Sequence, residues 1–182
     1  MFKFKVDDHL YLKLFNKNEV DQLFKLIDSN REHLKKWLPW VEDVKEPSDS
    51  EDFIKNSHQQ FADNNGFQAG IWYKNKLVGV IGYHSIDWTN KKTSIGYWLG
   101  KEYQGTGIIT RCCEALVDNA FENYNLNKVE ISCAEGNVRS RSIPERLGFI
   151  QEGTIREAEW LYDHFVTHIQ YGMLAAEWKE RK

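Results

Sequence analysis

The sequence predicts a mixed α+β fold, with helices on both faces of a mostly antiparallel central sheet of about seven strands. Three observations carry this expectation. Period-2 apolar runs and period-3.6 apolar stripes alternate along the chain. Three of the period-2 runs follow one another with only short turns between them, which is the mark of hairpins rather than of pure β-α-β winding. No internal repeat, low-complexity tract or proline-rich linker divides the 182 residues, so one domain, 1–182, is expected. A chain of this length can bury roughly 70% of its unfolded surface and needs neither a metal nor a disulfide to fold.

Leu10, Leu12 and Leu14 alternate with Tyr11 and Lys13 and predict the first strand. Asn16 or Asn18 then caps a helix carrying Val20, Leu23, Phe24 and Ile27. Trp37-Leu38-Pro39-Trp40 interrupts helicity, because proline disfavours the helical region for the residue before it, and its two tryptophans suggest a loop wall. A second helix is expected near Ser48-Asp49-Ser50-Glu51, with Phe53, Ile54 and Phe61 inward. Residues 67–73 and 77–86, joined by Lys74-Asn75-Lys76, read as a hairpin, and 93–99 as a further strand. Ile108, Cys112, Leu116 and Ala120, with Ile109, Cys113 and Val117 beside them, mark one face of a helix whose wet side carries Arg111, Glu114 and Asp118. Strand 128–134, helix 137–147, a strand from Phe149 through Ile155 and a last strand over 165–174 complete the series. Pro144 should kink its helix, since it removes one backbone hydrogen bond.

Composition restricts function. Hydrophobic residues make up 41% and charged residues 28%, and the formal charge of −3 argues against a nucleic acid or an anionic membrane met through a broad basic face. Cys112, Cys113 and Cys133 are odd in number and lack metal-ligand spacing, so they read as buried thiols in a reducing compartment, and no metal is expected. No run approaches the ~20 apolar residues that span a bilayer, and the charged, alternating start Met1-Phe2-Lys3-Phe4-Lys5 is unlike a signal peptide, which makes the cytoplasm the expected location.

The turn Gln104-Gly105-Thr106-Gly107-Ile108-Ile109 lies between a strand and an amphipathic helix. Glycines let a ligand approach the main chain, and first-turn amides together with the helix dipole present about +0.5 charge to an anion such as a pyrophosphate. The plain alternative is that Gly105 and Gly107 only permit a tight turn. A Walker A loop would need lysine and then Ser or Thr after Gly105, where Thr106 and Gly107 stand, and a dinucleotide fingerprint would need an opening βαβ unit.

Gln104-x-x-Gly107 resembles the coenzyme A signature of the GNAT superfamily of N-acetyltransferases, with Ile109 at that signature's last small position. Trp37-Leu38-Pro39-Trp40, Asn137-Val138-Arg139-Ser140, Leu147-Gly148-Phe149 and Glu152-Gly153 fall in the order and spacing of its RimJ/RimL branch, which acetylates ribosomal-protein N-termini, and the resemblance spans essentially the whole chain. It implies a GNAT-like sheet splayed between its fourth and fifth strands. Acetyl-CoA would be held by Tyr97, Trp98 and Leu99 on the fourth strand, by Gln104 through Ile109, and by Asn137 and Ser140. The neighbouring Cys133-Ala134 edge would border it.

The same resemblance implies direct transfer of acetyl to an amine. The position at which many relatives carry an acidic tyrosine is Pro144, so the proton donor would be Ser140, whose simpler role is in the first helical turn. The stretch 156–160 resembles the segment bearing the base, and the match falls on Glu159; burial of Glu157 or Glu159 beside Trp160 could raise a carboxylate's basicity, while a solvated pair is the plain alternative. Trp37, Trp40 and His84 are the candidate acceptor-binding residues, and His84 and His164 could relay protons. The expected acceptor is a protein N-terminus. A small amine, antibiotic or polyamine, or a non-catalytic CoA-binding sensor, stands as the alternative. Trp88 and Trp178, read as exposed aromatics, and the branch resemblance point to a homodimer.

Overall fold

The computed structural model describes residues 3–181; Met1 and Phe2, which open the N-terminal charge alternation, and Lys182 lie outside the described residues. In chain order the strands are β1 (Lys3–Lys5), β2 (Leu10–Leu14), β3 (Phe67–Tyr73), β4 (Lys76–Asp87), β5 (Lys92–Leu99), β6 (Lys128–Ala134), β7 (Ile150–Leu161) and β8 (His164–Leu174). The helices are α1 (Val20–Asp28), α2 (Arg31–Leu34), α3 (Pro47–Ala62), α4 (Ile108–Asp118), α5 (Val138–Arg146) and α6 (Ala175–Glu180). The strands hydrogen-bond in the order β1-β2-β3-β4-β5-β6-β8-β7, eight rather than about seven, because Lys3–Lys5 adds an edge against Tyr11–Lys13. Residues group into two compact units, Met1–Gly82 with Tyr97–Ile108, and Tyr83–Gly96 with Ile109–Lys182.

In the first unit the alternation expected over Leu10–Leu14 holds only in part: Leu10 and Leu12 are buried, but so is Lys13, paired with Glu19, while Leu14 is half-buried; β2 runs antiparallel to β3 with Leu12 opposite Ile71. Asn16 accepts the Asn18 amide at 3.0 Å while Glu19 returns to the Asn16 amide at 3.0 Å, a capping box that starts a 3-10 turn leading directly into α1. Phe15, Leu23, Ile27, Leu34, Val41, Ile54 and Val80 form one core, against which Trp40 and Trp98 pack. Each such fully buried side chain contributes about 1.5–3 kcal/mol. Phe53 and Phe61 are not inward as expected but 37% and 45% exposed. The stripe that α3 buries is Ser50, Ile54 and Ser57, from which Phe53 is rotated by one residue, and Phe61 lies in the last turn. Lys74 and Asn75, at φ 49° and 63°, form the left-handed two-residue turn that suits a hairpin.

In the second unit α4 buries Ile109, Cys112, Cys113, Leu116 and Val117, as its stripe predicts, and a π-helical turn over Asn119–Asn123 ends it. The Tyr83 hydroxyl donates to the Leu116 carbonyl at 2.5 Å and accepts from Asn119 at 3.2 Å, pinning that turn to β4. The parallel ladder between β5 and β6 covers Lys92–Ser94 against Lys128–Glu130, after which β6 carries on through Ile131–Ala134 against β8. Trp178 is not an exposed aromatic: in the unforeseen α6 it is 7% exposed, and its indole donates to Asp118 at 2.7 Å. Trp88 is 42% exposed, in line with the sequence. The strand expected to end near Ile155 runs on to Leu161, with a register shift between Ile155 and Glu159 and with Glu157 at φ 51°. Simple alternation is interrupted there, so strand periodicity no longer fixes the face of Glu157 relative to Glu159.

Candidate active site

The predicted anion turn is built in the first unit. A 3-10 turn, Lys101–Tyr103, follows β5, and Gln104 leaves it extended. Gly105 and Gly107 both stand at φ 73°, where an L side chain is strained, and a β-carbon on either would meet nothing within 4 Å. The positive φ accounts for glycine at both positions of the turn, and the open space over them leaves its main chain accessible. Thr106 turns its hydroxyl back to the Tyr103 carbonyl at 2.5 Å. Ile109, the departure from the coenzyme A signature, is 7% exposed, so its side chain enters the core.

Support for the turn comes from the α1–α2 junction, which the sequence did not flag. Asn30 accepts the Lys101 amide at 2.9 Å, and His33 lies 3.1 Å from the Gln104 side-chain amide, each contact spanning 71 residues of chain. Arg31 donates to the carbonyls of Val41 and Val44 at 2.9 and 2.5 Å and so fixes the loop that follows Trp40. Just before that loop Trp37, Leu38 and Pro39 are half-buried, and the Trp40 and Trp98 rings lie 6.0 Å apart. The Trp98 carbonyl is turned against Gly79 of β4, and the Gly100 amide donates to Val78 at 2.8 Å. Because main-chain groups alternate along a strand, those of Tyr97 and Leu99 point the opposite way.

The second unit carries the remaining candidates. Asn137 caps α5 by accepting the Ser140 amide at 3.2 Å. The Ser140 hydroxyl donates to Cys133 Sγ at 3.2 Å, at the end of β6. Pro144 is buried inside α5, which runs unbroken from Val138 to Arg146. Three hydrogen bonds tie α5 down: Tyr171 donates to Glu145 at 2.7 Å and accepts from Arg141 at 3.0 Å, and Arg146 donates to Thr110 at 2.8 Å. Burial raises the Tyr171 pKa, with Arg141 opposing, so the phenol keeps its proton near neutrality. Cys112, Cys113 and Cys133 are free, buried thiols. Burial first, then the neighbouring Cys112 and Cys133, hold the Cys113 thiol well above its ordinary range, which removes it as a thiolate nucleophile.

Glu159 is half-buried, but not by Trp160, which is itself 52% exposed and packs edge-on against Phe165 at 4.8 Å. Its neighbour is His168, whose Nε2 lies 3.5 Å from Glu159 Oε2, while His168 Nδ1 lies 3.2 Å from the Ser132 hydroxyl. Strand pairing makes these neighbours, and no local motif announces them. His164 bonds Asp163 at 2.6 Å at the exposed β7–β8 turn, away from this group in the strand register. The residue His84 is exposed, yet its ring is pressed over Gly96, and that desolvation lowers its pKa below the ordinary 6.5. No group of three or more His, Cys, Asp or Glu side chains suited to a metal occurs among the described residues.

Comparison with known proteins bears on the family of the chain. Residues 9–150 match the family model described as Acetyltransferase (GNAT) domain. The "Putative ribosomal N-acetyltransferase YdaF" of Bacillus subtilis is 39% identical, with all of both chains covered. The ribosomal-protein-serine acetyltransferase of Escherichia coli is 31% identical, over 88% of this chain and 90% of its own. Among solved structures, the microcin C7 self-immunity acetyltransferase MccE in complex with acetyl-CoA and AMP superimposes with a TM-score of 0.90 at 30% identity, covering 93% of this chain and 94% of its own. A family model matched over most of the chain and relatives this similar along their full length lead to one assignment: the chain belongs to the GNAT acetyltransferase family.

Proposed function

We propose that this chain transfers the acetyl group of acetyl-CoA to the α-amino group of a protein N-terminus, of the ribosomal-protein type, by direct attack of the amine. The observation that carries the reading is the open turn at Gly105 and Gly107, a cradle that any β-carbon would begin to fill. Acetyl-CoA, when bound, supplies an activated thioester. Main-chain amides from Gln104 through Ile109 hold its pyrophosphate, and the main-chain groups of Tyr97 and Leu99, with Trp98 between them as the strand residue facing β4, align its pantetheine arm through strand-like hydrogen bonds. Asn137 and Ser140 border the thioester.

Ser140 and Glu159 divide the proton work. Adjacent residues of a strand point to opposite faces, so Ser132 and Cys133 of β6 face opposite ways. Ser140 bonds Cys133 on one face; Glu159 reaches Ser132 through His168 on the other. A donor for the leaving thiolate and an acceptor for the ammonium proton on opposite faces keep the two proton transfers of a direct acyl transfer separate. Trp37, Trp40 and His84 contact the acceptor.

The names of the two relatives, ribosomal N-acetyltransferase and ribosomal-protein-serine acetyltransferase, favour the N-terminal acceptor. Residues 1–182 form one transferase domain in this reading, acting as a homodimer in the cytoplasm. No helix among the described residues is long and apolar enough to cross a membrane. The test is thiol release from acetyl-CoA with Ser-initiated peptides and with spermidine, followed by mass spectrometry of the products. Acetylation at the peptide α-amine is expected; turnover with spermidine alone would overturn the acceptor assignment.

A further inference from the structure

The Ser132, His168 and Glu159 side chains come from three adjacent strands, β6, β8 and β7, and share one face of the second unit. The register places Ala134 opposite His168 and Ser132 opposite Gln170, so Ser132 and His168 lie on the same side one step apart. On the far side Ile155 faces His168, and the ladder resumes with Glu159 opposite Val166. The bulge between them, with Glu157 at φ 51°, is what turns Glu159 back toward His168.

The chemistry of the contacts orders the ring. A carboxylate can only accept, so Nε2 carries the proton that faces Glu159. In the neutral imidazole Nδ1 is then an acceptor, and the Ser132 hydroxyl donates to it across 3.2 Å. The 3.5 Å separation between Nε2 and the carboxylate is of the length that tightens when a substrate is bound. Charged and titratable groups on the strands around His168 are Lys128, Glu130 and Cys133 on β6 with Glu135 just after it, Glu152, Arg156, Glu157 and Glu159 on β7, and His164 and Tyr171 on its own strand. Of these, Glu159 is the one within ion-pair distance.

We infer that His168 is the positioning residue for Glu159: anchored through Nδ1 to the Ser132 hydroxyl, it holds the carboxylate on the face of β6 opposite Ser140, where an acceptor amine gives up its proton. Because β7 is bulged immediately before Glu159, the strand alone does not fix this side chain, and the imidazole supplies the missing constraint. The proton balance is simple. Glu159 takes one proton from the ammonium of the acceptor; the neutral amine then forms the N–C bond as the C–S bond breaks, the second nitrogen proton is balanced by the one that Ser140 passes to the departing thiolate, and Glu159 releases its proton to water.

The inference rests on the proposed acetyl transfer, and its test separates the two. In wild-type protein with acetyl-CoA and a Ser-initiated peptide, His168→Ala should lower kcat roughly 100-fold, the cost of misplacing a reacting group by about 1 Å, with KM for acetyl-CoA unchanged. His168→Gln, whose amide can donate from the Nε2 position, should recover most of that loss. In a Glu159→Gln background, His168→Ala should add no further loss. A His168→Ala variant with wild-type kcat, or equal loss in both backgrounds, overturns the positioning role. Imidazole nitrogen NMR gives a readout independent of turnover: the Nε2-protonated form should dominate, and Ser132→Ala and Glu159→Gln should each shift the His168 ring resonances. Ring signals that ignore both substitutions overturn the inference even if acetylation proceeds, whereas shifted signals in a protein that acetylates nothing would leave the contact standing and remove the proposed function.

Discussion

The imidazole of His84 lies directly over the bare α-carbon of Gly96: a β-carbon built on Gly96 would overlap Nε2 and stand 2.5 Å from Cε1. Glycine at this strand position is explained by that ring rather than by backbone geometry. Contact with the sheet desolvates the imidazole and favours its neutral form.

Gly96→Ala should therefore act on His84. The obstructing atoms are the end of a side chain that can rotate away, so the fold survives, and alanine in a strand offsets part of any strain by about 0.5–1 kcal/mol. Displaced into water, the ring should titrate closer to its ordinary 6.5, higher than in wild type. The sign for stability follows from linkage: the unfolded chain binds the proton more readily than the folded one. This contribution is complete above 6.5 and is lost as pH falls below it, and Gly96→Ala should flatten that dependence. Histidine NMR titration and urea unfolding at several pH values check both expectations. If His84 contacts the acceptor, KM for the peptide should also rise about fivefold, near 1 kcal/mol.

Gly107→Trp separates folding from cofactor binding. The β-carbon direction is open for 4 Å, so nothing in the core is displaced, and the cost is that of a non-glycine residue at φ 73°, about 1–2 kcal/mol. The indole should occupy the space needed by the pyrophosphate and weaken acetyl-CoA at least 100-fold, about 2.7 kcal/mol. Calorimetry on the folded variant measures this directly. Wild-type affinity would contradict the amide cradle.

These two sites show what a sequence displays and what it hides. The turn was legible because its requirements are local: two glycines, a preceding strand and a following stripe of Ile108, Cys112, Leu116 and Ala120 that is indeed buried. His84 over Gly96, His33 at Gln104 and His168 between Ser132 and Glu159 were not, since each depends on strand or loop pairings that join distant residues. Trp178 shows the same limit: its burial depends on Asp118, sixty positions earlier, and on a six-residue helix with too little length to display a period. The β7 bulge defeated alternation at the candidate base, because periodicity assumes an unbroken ladder.

The Lys13–Glu19 pair offers the sharpest stability test. Both side chains are under one-tenth exposed, at 9% and 8%, and the lysine ammonium also lies 4.3 Å from the centre of the Trp72 ring. Glu19 Oε2 accepts the Asn16 amide, so the same carboxylate closes the cap that leads into α1. Removing one partner leaves a buried charge without its counterion, whereas removing both leaves none. Glu19→Ala and Lys13→Met should thus each cost about 3–5 kcal/mol, and the double variant less than the sum, despite losing the cap at about 1 kcal/mol. Urea unfolding of the four proteins gives the coupling energy. Single losses near 0.5 kcal/mol, the size seen for exposed pairs, would mean that water reaches Lys13 in solution and that the pair contributes little to holding β2 against α1.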